Sequence, residues 1–147
     1  MKKFRFSLAR VKDWRNQQLE MEELKLPPLL AERRALATEA ARLDREETEA
    51  GRTIATLTAA EAEELAAFDS WIHHLRREKE RLAARQADCE QRIRTQQKAI
   101  LEARRRLRLL ERLEHRRFSD WLAQADHEQE ALSQELYLAR WRPREKT

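Results

Sequence analysis

From Arg52 to Arg142 the chain runs 91 residues without a glycine or a proline. Globular domains of this length need turns, and turns draw on Gly, Pro and Asn-Gly pairs. The whole sequence holds one glycine, Gly51, and three prolines, Pro27, Pro28 and Pro143. A run so poor in breakers and so rich in Ala, Leu, Glu, Arg and Gln reads as one long helix. With 39% of residues charged and 6% aromatic, little is left for a compact core. Sustained apolar periodicity at that composition marks a coiled coil rather than a disordered chain.

The seam of the long helix follows alternating steps of three and four through positions 65, 68, 72, 75, 79, 82, 86, 89, 93, 96, 100, 103, 107 and 110. Eleven of these fourteen are apolar, the exceptions being Lys79, Gln86 and Gln96. Such interruptions specify register in coiled coils. After Leu110 the apolar phase slips and resumes at Phe118, Leu122, Ala125, Gln129, Leu132, Leu136 and Ala139. An earlier helix keeps one register through Leu8, Leu19, Leu26, Leu29, Leu36, Ala40, Leu43, Ala50, Ile54 and Leu57, interrupted by Lys12, Arg15, Glu22, Arg33 and Glu47. Pro27 and Pro28 fall inside it, where each would cost about 3 kcal/mol or more by removing an amide donor and crowding the preceding turn. Because the phase is the same on both sides, a kink or short break at 27–28 is expected rather than a reversal.

The turn is expected at about 51–60. Gly51 loosens the end of the first helix, and Thr58 with Glu61 has capping-box spacing that starts the second at about Ala59. The expected fold is all-α: one coiled-coil domain over residues 1–147, a long two-helix antiparallel hairpin with helices at about 4–56 and 59–142. A turn centred near residue 57 sets residues whose numbers total about 114 against each other. Leu8 then lies beside Arg106 and Leu36 beside Glu78, and residues 112–142 project unpaired.

Charge is ordered basic, acidic, basic although the formal net charge is only +4. Lys2, Lys3, Arg5, Arg10, Lys12 and Arg15 open the chain, and seven arginines (104, 105, 106, 108, 112, 116 and 117) crowd one later stretch. The arginine cluster fits a solvated face, an acidic protein partner or nucleic acid. It lacks interleaved aromatics, so no nucleic-acid partner is expected.

Catalytic patterns are missing. One glycine cannot build a phosphate loop. His73 and His74 are adjacent and point apart on a helix, while His115 and His127 stand alone, so no metal site is expected. Cys89 occupies a seam position and reads as a small buried apolar residue. The chain is expected to be no enzyme and to need no cofactor. A lone cysteine, no apolar run near the roughly 18 residues of a membrane span, and a charged start without a signal-peptide core point to a soluble, cytoplasmic protein.

Large aromatics that a two-helix seam cannot cover are enriched at binding hot spots. Trp71 adjoins seam position Ile72 and reads either as packing near Leu43 or as a partner contact. Trp121 has no opposing helix in the expected register, so its burial calls for a partner or a second copy.

Phe4-Arg5-Phe6 followed by Leu8 and Val11 resembles the start of the FliJ family of flagellar protein-export components. Phe68, Trp71-Ile72 and Leu75, then Leu107, Leu110-Glu111, Leu113 and Arg116-Arg117, and the closing Glu128-Gln129, Leu132 and Glu135, are similar to the rest of that pattern. The resemblance implies a stalk like the central shaft of rotary ATPases, part of a type III secretion and motility system. Its implied partners are the hexameric flagellar export ATPase, a membrane export gate and substrate chaperones, at the cytoplasmic face of the inner membrane. Surface chemistry then nominates Lys2, Lys3, Arg5, Arg10, Arg104, Arg105, Arg106 and Arg108 for the ATPase. Trp71, Leu75 and Trp121 are nominated for the export gate or a chaperone. A monomeric hairpin is expected when free; a generic coiled-coil scaffold and, behind it, a nucleic-acid-binding protein are the competing readings.

Overall fold

The computed structural model of the chain describes residues 2–56 and 62–141. Three helices follow one another: α1 (Ala9–Leu24), α2 (Leu26–Thr56) and α3 (Ala62–Trp141). With α1 and α2 as a shorter first arm and α3 as a longer second, the fold is the all-α antiparallel hairpin. Tertiary contacts divide it into two compact units, residues 20–101 and the remainder formed by both chain ends.

The prolines break the first arm one turn earlier than expected. Helix α1 stops at Leu24, and the Lys25 amide donates to the Glu22 carbonyl (3.2 Å) in a tightened last turn. Pro27 and Pro28 then occupy the first turn of α2, where amide donors have no intrahelical partner and proline costs little. The break is therefore at Lys25 rather than at 27–28. Gly51 does not loosen the helix: it is helical, without positive φ, and α2 runs on to Thr56, the end expected for the first helix. Leu57, the Thr58–Glu61 capping box and the start at Ala59 lie outside the described residues.

In the unit of residues 20–101, Leu36 and Leu43 from α2 are buried with Leu75, Leu82, Cys89 and Ile93 from α3. Leu26, Leu29, Leu30 and Ala40 pack around them. Cys89 earns its seam position by size: its Sγ–H points at the Leu29 carbonyl 3.6 Å away, an approach that a larger side chain would block.

Polar seam residues meet polar seam residues. Gln96 donates from Nε2 to the Glu22 carboxylate (2.7 Å) and to its carbonyl (2.8 Å). Lys79 bridges Asp44 (2.7 Å) and Glu47. In the other unit Lys12 pairs with Glu114 at 2.5 Å. These contacts set the register, and it is not the expected one. Residue numbers total 126 for Lys12 with Glu114 and for Glu47 with Lys79, and 118 for Glu22 with Gln96 and Leu29 with Cys89, against the expected 114. The physical reason is plain. A total of 114 would set Lys79 against Ala35 and Glu47 against Ala67, leaving both charges on the seam unpaired.

The expected phase slip comes later than just after Leu110: it falls at Trp121–Ala125, where steps of four follow one another. Beyond Leu110 the same three-four step passes through Glu114, Arg117 and the half-buried Trp121, then four residues on to buried Ala125. Phe118 and Leu122, expected to carry the resumed seam, remain 39% and 42% exposed. The wholly exposed part of α3 thus begins at Asp126 and not at 112.

A Cβ added at Gly51 meets nothing within 4 Å. Gly51→Ala therefore stabilises the hairpin by about 0.5–1 kcal/mol, by removing backbone freedom from the unfolded chain, as read by urea unfolding. The Gln96 amide, and secondarily the Lys25 ammonium, hold the Glu22 carboxyl below its ordinary value. A lowered carboxylate stabilises above its unfolded value and loses that contribution as pH falls through the folded one. The melting-temperature gap between the native chain and Glu22→Gln accordingly closes on titration from about pH 6 to about pH 3.

Candidate functional site

The chain start is not helical, as residues 4–8 were expected to be. Residues 2–6 form no helix or strand, and the Ala9 amide closes a turn onto the Phe6 carbonyl (3.1 Å) before α1 begins. Aromatic packing holds this segment on α3. The Phe4 ring meets Phe118 edge-on (5.2 Å between centroids) and lies 6.0 Å from Trp121, and Phe118 and Trp121 stack at 5.8 Å. Phe6 is buried beneath the Arg117 guanidinium, whose Cζ is 5.7 Å from the ring. Arg117 also donates to Ser7 Oγ at 2.6 Å, so a residue type that often caps helices is tied to α3 instead.

Trp121 is consequently covered by its own chain, which corrects the expectation that a partner or second copy must bury it. Its exposed edge forms an open recess with Lys2, Lys3, Phe4 and Arg5. Three nominated cations thus gather around one indole, where cation–π attraction and long-range charge favour an anionic partner.

The nominated arginines on α3 do not join them. Leu8 was expected beside Arg106, but the observed pairing sets Ser7 at Arg117 and Lys12 at Glu114. Arg104 to Arg108 therefore lie about 20–25 Å along the helix from Trp121. All four side chains are exposed, as is Arg10, and Arg106 is paired to Glu102 at 3.2 Å. The basic face instead extends toward the carboxyl end of α3. Arg108, Arg112 and Arg116, spaced by four, line a shallow recess with Glu111 and His115. Arg112 and Arg116 were visible in the sequence as members of the cluster, and the i, i+4 spacing was the signal that ties them to Arg108 rather than to Arg106.

Trp71 and Leu75 separate. Trp71 is exposed, its ring 5.5 Å from that of His74, and it lines an apolar recess with Glu64, Ala67 and Phe68. Leu75 is 1% exposed in the centre of the core, so its nomination as a partner contact is corrected. Its seam position turns it inward against the first arm. Removing such a side chain acts on stability, at about 2–5 kcal/mol for a Leu→Ala change.

Titratable groups are spread along helix faces. His73 approaches Asp69 at 3.4 Å on a solvated surface. Among the described residues no group of three or more His, Cys, Asp or Glu side chains could hold a metal. No helix of the described residues is long and apolar enough to cross a membrane. What the surfaces offer chemically is recognition: two clusters of cations, one with an indole among them, and an apolar recess at Trp71. No family model, curated protein or solved structure matches the chain.

Trp121→Ala removes the ring that both Phe4 and Phe118 contact. The loss is about 1–2 kcal/mol, below that for a fully buried indole, and it falls on the amino-terminal segment. Limited trypsin digestion checks this: cleavage after Arg5 and Arg10 accelerates in the variant while α2 remains resistant.

Proposed function

We propose that the chain is a non-enzymatic stalk of a flagellar protein-export apparatus, binding the export ATPase ring and linking it to the membrane export gate and to substrate chaperones. The observation that carries this reading is the antiparallel hairpin itself, with a long second helix braced by a shorter first arm. It is the architecture implied by the resemblance to the FliJ family in Phe4-Arg5-Phe6, Trp71-Ile72 and Arg116-Arg117. The setting that goes with the reading is cytoplasmic, peripheral to the inner membrane at the flagellar base.

A coupling stalk must resist sliding of one arm along the other. Lys79 with Asp44 and Glu47, Gln96 with Glu22, and Lys12 with Glu114 serve that requirement, because any slip unpairs a charge on the seam. Contact with the ATPase falls to the exposed arginines of α3, with Arg112 and Arg116 added to the nominated Arg104, Arg105 and Arg108. The Trp71 recess, with Phe68 beside it, is the apolar surface for the export gate or a chaperone.

Stimulation of the cognate flagellar export ATPase tests the reading. The purified chain raises its hydrolysis rate, and Arg105→Glu, Arg108→Glu and Arg112→Glu together abolish the effect while leaving the circular dichroism spectrum unchanged. No stimulation by the native chain at saturation overturns the export reading in favour of a general scaffold.

A further inference from the structure

We propose that residues 126–141 pair, antiparallel, with the same segment of a second copy of this chain. Within their unit, the seam of α3 passes Trp121, which meets Phe4, and buried Ala125, and then continues bare. Gln129, Leu132, Leu136 and Ala139 hold the three-four step, and Leu132 and Leu136 are 59% and 66% exposed. The stripe is thus the uncovered extension of an interface that the chain already makes with its own first arm.

Charge selects the occupant. Asp126 and Glu128 precede the two leucines, and Arg140 follows them. Asp126 and Arg140 are fourteen residues apart, two heptads, and so flank the stripe on the same side. In the sequence Arg142 stands in the same relation to Glu128. None of Asp126, Glu128 and Arg140 has an ion pair among the described residues. Flanking residues of equal heptad position face each other across an antiparallel pair. Leu132 then meets Leu136 of the second copy, and Asp126 meets its Arg140, twice over by the two-fold axis. Glu135 meets its own copy at the axis, a single like-charge contact against the two Asp126–Arg140 pairs. A parallel pair, in which g positions face e positions, sets Glu135 against Arg140 but gives Asp126 and Glu128 no basic partner. About four helical turns bury less than an obligate dimer does, so the association is reversible and depends on concentration. It stands independently of the export role and replaces the expectation of a free monomer.

Sedimentation velocity on the full chain is the test. Between about 5 and about 500 μM the chain moves from monomer to dimer, a micromolar affinity suiting so small a contact. Leu132→Asp with Leu136→Asp stays monomeric at unchanged hairpin stability, since neither side chain enters the core. Asp126→Arg alone and Arg140→Asp alone each weaken self-association by about tenfold or more, by juxtaposing like charges. Mixing these two variants restores a mixed dimer, since each then supplies what the other lacks. A native chain that remains monomeric throughout the range overturns the proposal. So does a mixture that stays as weak as its components, which marks any dimer as parallel or as formed elsewhere.

Discussion

The matched polar interruptions of the two seams are the constraint on which the rest of this structure depends. Apolar layers of Leu, Ile and Ala recur so regularly that they accept a slip of seven residues with little loss. The charges do not. Moving the arms by one heptad from the observed pairing would set Lys79 against Ala40 or Ile54 in place of Glu47. Partly exposed ion pairs add little net stability, because desolvation and side-chain ordering offset the attraction. Their effect here lies in the alternatives they forbid, since an ammonium left on an apolar seam has no compensation. Apolar burial makes the hairpin stable, and polar layers make it a single hairpin.

That division explains what could be read from the sequence. The period of each seam is local, so both arms were legible, including the phase kept across Pro27 and Pro28. From Phe68 to Leu110 the positions that periodicity assigned to the seam of α3 are the ones that turn inward, Leu75, Cys89 and Ile93 among them. Register is a relation between distant residues, and the sequence marks it only through which polar residues suit which. Gly51 was expected to loosen the end of the first helix, but a single glycine costs a helix only about 1 kcal/mol and α2 absorbs it. Placing the slip just after Leu110, when it comes at Trp121–Ala125, had the same root. Glu114 and Arg117 break the apolar pattern, yet they hold the seam by reaching Lys12 and Ser7.

The candidate surfaces were legible by residue type and less so by arrangement. Lys2, Lys3 and Arg5 gather at Trp121 because Phe4, between them, packs on the aromatic cluster of α3. The same reach parts them from Arg104 to Arg108, so one expected basic surface becomes two. Trp71 and Leu75 show the limit of a short landmark on a helix. Four residues apart, they lie side by side, yet one lines a surface recess and the other the core.

An isolated helix in water is marginal even at favourable composition, since each residue added gains one hydrogen bond against its lost freedom. For α3 the first arm reduces that difficulty within each unit, by covering the apolar stripe where the two pack. Beyond Ala125 the stripe continues in the same phase without cover, and the leucines on it are as regularly spaced as those inside the hairpin. A solvated helix end has no need of that spacing, and polar residues would serve it better. The persistence of the repeat beyond the reach of its intramolecular partner is therefore a physical statement about α3: its last turns are patterned for a helix that the first arm does not supply.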